Sequence, residues 1–177
     1  MAAVTLPDST VLLIGGREDS EHYYDDVVRF TSATGDASVE VIDHAPWSKR
    51  MALRVPVLAN GTMLLMGGFK LDHNDNQVPV HDVWRCDDGG ETWFLVTDSP
   101  EWAPRTRFST AVLPDDSVLV IGGNSVPGGT AQVYRSVDLG ASWVALLGPA
   151  GWAPRQSHAS VVLLSGDVLL LGGEFNG

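Results

Sequence analysis

Four apolar runs, each closed by a pair of glycines, constrain this chain more than anything else in it. They are Val11-Leu-Leu-Ile-Gly15-Gly16, Met63-Leu-Leu-Met-Gly67-Gly68, Val118-Leu-Val-Ile-Gly122-Gly123 and Val168-Leu-Leu-Leu-Gly172-Gly173. Successive pairs lie 52, 55 and 50 residues apart, so the chain is an internal repeat with a period of about fifty residues. A turn precedes each run, at 5–10, 57–62, 112–117 and 163–168, with another apolar stretch before it. Asp-Ser, Asn-Gly and Gly-Asp at these places are hairpin chemistry, because such residues tolerate positive φ or bond their own backbone. Each unit therefore opens with a β-hairpin.

A second hairpin is marked by CDDGGETW (86–93) and SVDLGASW (136–143), both fitting the Asp-box pattern S-x-D-x-G-x-x-W, with Cys86 in place of the usual Ser. Asp88 and Asp138 are expected to accept backbone N–H groups inside the turn, and Trp93 and Trp143 to cover it. The matching stretch of the first unit, 31–38, keeps Gly35 but lacks both the Asp and the Trp, which predicts a looser turn. Links of the form PWSKR (46–50), EWAPR (101–105) and GWAPR (151–155) return the chain to the next hairpin. No 3.6-residue periodicity of useful length occurs, so essentially no helix is expected. Two hairpins and a return loop make a four-stranded antiparallel sheet, and a series of such sheets predicts an all-β fold, a β-propeller of about three and a half blades. The units are 1–49, 50–104, 105–154 and an incomplete 155–177. With four first hairpins but only three second ones, the expectation is that these blades complete themselves within a longer parent chain or a larger assembly.

The order R-x-x-H-x-S-x-x-x-L, then turn, apolar run and Gly-Gly, appears most fully as RQSHASVVLLSGDVLLLGG (155–173). It resembles the kelch repeat, in particular the kelch blades of the galactose oxidase group. The stretches 105–123, with Phe108 for His, and 50–68, with Leu53, are similar. The interval from Trp84 to Trp93 and from Tyr134 to Trp143 is longer than kelch repeats usually have, and the Asp-box turn occupies the extra length. The resemblance implies a propeller whose mouth binds acidic peptide segments or polar ligands.

Composition narrows the function classes. The net charge of −11, from 22 acidic residues against nine Arg and two Lys, disfavours nucleic acid as a partner. The longest apolar runs are far too short to span a bilayer. The single cysteine excludes an internal disulfide and a Cys-based zinc cluster, and with no signal-like N-terminus it points to a reducing compartment such as the cytoplasm. No cofactor or metal is implied. The loop Asp72-His73-Asn74-Asp75-Asn76 begins like a calcium loop, but Gln77 and Val83 stand where the turn Gly and bidentate Glu belong.

Candidate binding residues fall in two groups. Arg50, Arg105 and Arg155 occupy equivalent positions, with Arg107 and His158 close by, and suit carboxylate recognition at a propeller mouth. The competing reading is that each Arg braces its own inter-blade loop, since recurrence in every unit argues for structure. The second group lies on two irregular polar loops, 17–26 with Tyr23 and Tyr24, and 70–82 with His73 and Asp75, good material for a protein contact. The functional expectation is a non-catalytic binding or scaffold module with a protein partner. The alternative is a sialidase-like propeller hydrolase, with the three repeat arginines and Tyr23 or Tyr24 cast in catalytic parts. Cys86, flanked by Asp87 and Asp88, is expected to be unreactive.

Overall fold

The computed structural model describes residues 1–19, 22–30, 38–125, 128–146 and 151–175, and over these the chain is all-β, without helix. The turn expected at 31–38 lies almost wholly outside the described residues, as do Ser20 and Glu21 of the first irregular loop. No helix among the described residues is long and apolar enough to cross a membrane.

The four opening hairpins share one hydrogen-bond pattern. Leu6, Leu58, Leu113 and Leu163 each donate their N–H to the carbonyl four residues on, at 2.8–2.9 Å, and each accepts from the N–H three residues on at 2.8–2.9 Å. The residue at the tip has positive φ in every case: Ser9 (71°), Gly61 (88°), Asp116 (60°) and Gly166 (86°). In the first unit Ala2–Thr5, Val11–Arg17, Tyr23–Phe30 and Ser38–Ile42 form a four-stranded antiparallel sheet in sequence order. The third unit repeats this with Ser109–Val112, Val118–Ile121, Val133–Ser136 and Val144–Ala145. In the fourth, Ala159–Val162 pairs with Val168–Leu171.

The second unit departs from the expected four strands. Met63–Met66, Val83–Cys86 and Phe94–Thr97 pair, but the opening strand is reduced to two bridges, Arg54 with Met66 and Val57 with Met63. Pro56 lies between them, and without an N–H it cannot donate to the ladder. Its carbonyl still accepts from Leu64 N at 3.2 Å. A further small hairpin, Phe69–Leu71 with Gln77–Pro79, grows out of the irregular 70–82 loop.

Alternation along each apolar run decides which neighbour it meets. Leu12 and Ile14 of the first unit pack with Leu53, Met63 and Leu65 of the second around Trp47 and Trp93. Leu64 and Met66, on the other face, pack with Phe108, Val118 and Val120 of the third around Trp102 and Trp143. Leu119 and Ile121 in turn meet Trp152, Val162, Val168 and Leu170. Sheets thus stack face to face in sequence order, and a strand between two neighbours is apolar on both sides. Met63–Met66 and Val118–Ile121 are buried at all four positions, whereas the similar run Val168–Leu171 alternates between half-buried and exposed.

The strands run between two ends. At one end the hairpin tips meet the Asp-box turns and the strands that lead into them, as where Thr62 Oγ1 donates to Asp87 at 2.8 Å and Arg135 Nε to Ser117 Oγ at 3.0 Å. The other end holds the diglycines, the links and the two irregular loops. There the residue after each link Arg pairs with the residue after each diglycine: Met51 with Phe69, Thr106 with Asn124, and Gln156 with Glu174.

Candidate functional site

The three repeat arginines are held by their own units. Each donates Nε to the carbonyl two residues back (Ser48, Ala103, Ala153) at 3.0–3.3 Å. Each also donates Nη1 to the carbonyl of the first glycine seventeen residues on (Gly67, Gly122, Gly172) at 2.8–3.3 Å. Arg50 is 1% exposed and forks onto Asp82 at 2.5 and 2.7 Å. Asp82 also accepts from Trp84 Nε1 at 2.7 Å. Burial alone would raise the Asp82 carboxyl, but Arg50 outweighs it and holds it below the usual carboxylate range. Arg105 is fully buried, its guanidinium 5.2 Å from the Tyr134 ring centre and 5.9 Å from that of Trp102, with Gln132 Oε1 at 3.3 Å in the place of Asp82. Arg155 makes the same two backbone bonds but is only half-buried.

His158 is buried at the position held by Leu53 and Phe108 in the preceding units. Each of these side chains lies over the first glycine of the unit before: a Cβ on Gly15, Gly67 or Gly122 would stand 3.0, 2.6 or 2.8 Å from Leu53, Phe108 or His158. Burial pushes the His158 pKa down. Arg107 is exposed, in the left-handed region at φ 54°, with Nη1 3.6 Å from Glu174 and its carbonyl accepting from Ser157 N at 2.8 Å.

Both Asp-box turns have the same internal bonding. Ser136 Oγ donates to Asp138 at 2.8 Å and accepts from Gly140 N at 2.9 Å. Cys86 Sγ makes the equivalent pair with Asp88 and Gly90 N, each at 3.0 Å. Trp93 and Trp143 donate Nε1 to Gly90 O and Gly140 O at 3.2 and 3.1 Å. Burial first, then the bond to Asp88, pushes the Cys86 thiol up to about 11. At neutral pH the thiolate fraction is negligible, so a maleimide or disulfide probe is expected to leave Cys86 unlabelled until the chain unfolds. Cys86→Ser should be within about 1 kcal/mol of the parent, while Cys86→Ala strands Gly90 N and should cost about 1–3 kcal/mol in urea unfolding. Prompt labelling under native conditions would contradict this.

The two irregular loops come together. His22, Tyr23, Tyr24, Ser48, Lys49, Lys70 and Leu71 line a cleft of about 340 Å³ at the diglycine end, between the first unit, its link and the second unit. Tyr23 is buried and its hydroxyl accepts from Gln77 Nε2 at 3.0 Å, joining the loops. Tyr24 is partly exposed and donates its O–H to Glu18 at 2.8 Å, a bond that raises its pKa. His22 pairs with Asp19 at 2.8 Å. Lys49 and Lys70 are the only lysines in the chain, and among the described residues neither has a carboxylate within ion-pair distance. His73 and Asp75 lie on the exposed tip of the small hairpin, away from that lining. There Asp72 accepts from the N–H groups of Asn74 and Asn76 at 2.8 and 2.9 Å, and Asp75 sits at φ 60°. Among the described residues no group of three or more His, Cys, Asp and Glu is arranged to hold a metal ion.

No protein-family model matches the chain, and no curated protein matches it. Among solved structures it is similar to that of YjhT, with a TM-score of 0.68 at 16% identity, over 89% of this chain and 54% of that one. The likeness is one of fold, and the chain spans about half the length of that structure.

Proposed function

We propose that these units are kelch-type propeller blades serving as a non-catalytic binding module, which engages a protein partner through the loops at the diglycine end. The observation that carries this is the cleft between Tyr23, Tyr24, Lys49 and Lys70. Its volume of about 340 Å³ falls in the range of ligand-binding clefts. Tyrosine supplies contact area at low entropy cost, and two ammonium groups with no ion-pair partner among the described residues suit carboxylates on the partner surface. In a chain of net charge −11 this is a local exception, and it gives orientation to an otherwise repelled acidic segment. The alternative of a sialidase-like hydrolase draws less support, because Arg50, Arg105 and Arg155 are each spent on the glycine carbonyl of their own unit.

Lys49→Glu combined with Lys70→Glu is expected to weaken capture of the partner by about tenfold or more. Asn60→Asp and Asp116→Asn, at the opposite end, should leave it unchanged. A partner retained by the lysine double variant but lost on changing the hairpin tips would place the binding face at the wrong end and refute the reading.

A further inference from the structure

The fourth unit leaves open an apolar face that the earlier units bury. Strand pairing and alternation put Ala159, Val161, Leu163, Leu169 and Leu171 on one side of its hairpin. Val162, Val168 and Leu170, on the other side, pack on the third unit. The same repeat positions in the first unit are Ala2, Val4, Leu6, Leu12 and Ile14, which pack on the second. There Leu6, Leu12 and Ile14 are 0–8% exposed, whereas Val161, Leu163, Leu169 and Leu171 are 44–47% exposed. The first glycine of each earlier pair is covered by Leu53, Phe108 or His158 of the next unit, but a Cβ on Gly172 would meet nothing within 4 Å. A face with the composition of a stacking surface is thus open to solvent.

The first unit has an open face of the opposite kind. Leu13 pairs with Ala3 and Val28, and Val11 with Thr5 and Phe30, on the side away from the second unit. Val11, Leu13 and Val28 are only half-buried, and Phe30 is exposed. The matching residues of the second unit, Met63 and Leu65, are fully buried against the first. Leu13 and Val28, with Met1, Arg17, Tyr24 and Asp26, line a groove of about 180 Å³ on this side. Met1 holds the repeat position of Leu53, the side chain that covers the preceding unit's first glycine, and it is 70% exposed.

Each contact between units in this chain sets a face of the fourth unit's kind on a face of the first unit's kind. One chain carries one open face of each kind, and both are exposed together, so the chain does not close on itself. We infer that the outer face of the fourth unit docks on the outer face of the first unit in a second copy of this chain, bringing Met1 of one copy over Gly172 of the other. Two copies related by a two-fold axis make this contact twice, which covers both faces of each and leaves none to propagate a filament. The inference does not rest on the tyrosine and lysine cleft. Tyr24 borders both places, and the variants below leave it intact.

The test is sedimentation of the full chain at micromolar concentrations, where the parent should have twice the mass of one chain. Leu169→Glu with Leu171→Glu, at positions already half exposed, should fold and weaken association about a hundredfold or more, to a monomer. Serine at the same two sites gives the same reading if the glutamates unfold the hairpin. Leu13→Glu with Val28→Glu, on the other face, should also be monomeric. Mixed at higher concentration, the two glutamate variants should form a one-contact dimer, since each supplies the face the other lacks. Lys49→Glu with Lys70→Glu should leave the parent dimer unchanged. A monomeric parent, an assembly of no fixed size, a dimer that survives the changes at 169 and 171, a first-face variant that dimerises alone, or no dimer on mixing would each overturn the assignment.

Discussion

Replacing Asp82 by alanine is expected to destabilise the chain by about 3–5 kcal/mol, the cost of leaving the buried Arg50 guanidinium charged without its carboxylate. Arg50 is 1% exposed and cannot turn to solvent without leaving Gly67 O and Ser48 O. The same change strips Trp84 Nε1 of its acceptor. The third unit shows which substitution should be milder. There Gln132 stands in the place of Asp82, and Arg105 relies on it together with the faces of Tyr134 and Trp102. Asp82→Gln should therefore cost less than half as much as Asp82→Ala. Urea unfolding of the two variants checks both values, and a loss under about 1 kcal/mol for the alanine variant would mean the pair is not buried in solution.

Gly122→Ala and Gly172→Ala, the same repeat position in neighbouring units, are expected to differ by about 2 kcal/mol or more. Both glycines have positive φ, 58° and 65°, so a Cβ carries a left-handed penalty of about 1–2 kcal/mol at either. At Gly172 nothing lies within 4 Å of the added atom. At Gly122 it would stand 2.8 Å from His158 Cε1, 3.0 Å from Arg155 O and 3.1 Å from Trp152 Cη2. Two of those three atoms belong to packed rings and the third to backbone, so the fourth unit has to move off the third, for a total of about 3–5 kcal/mol. Equal costs at the two positions would show that the third and fourth units do not stack as described.

Much of this architecture is legible in the sequence because the repeating units are built from local bonds. A turn that closes within five residues is encoded where it forms, and Leu6, Leu58, Leu113 and Leu163 each carry the same one. The Asp-box turns are equally local, which is why Cys86 could be read as a serine substitute. Burial is a different matter. The runs at 63–66 and 168–171 are alike in sequence and differ in exposure only because one has a neighbour on each face. The role of the arginines was written in a spacing: 50 to 67, 105 to 122 and 155 to 172 are all seventeen residues, and a constant interval points to a partner inside the unit. The loss of the second unit's opening strand follows from Pro56. The cleft could not be foreseen, since Lys49 sits on a link and Lys70 on a hairpin, and only the packing of the first two units brings them to one place.

Hydrogen exchange of the chain with and without its captured partner tests the binding account most directly. The account predicts slowed exchange at 22–24, 48–49 and 70–71, around the cleft, with the hairpin tips at 59–62 and 114–117 unchanged. Protection confined to those tips and the Asp-box turns, with the cleft segments exchanging as in the free chain, would contradict it.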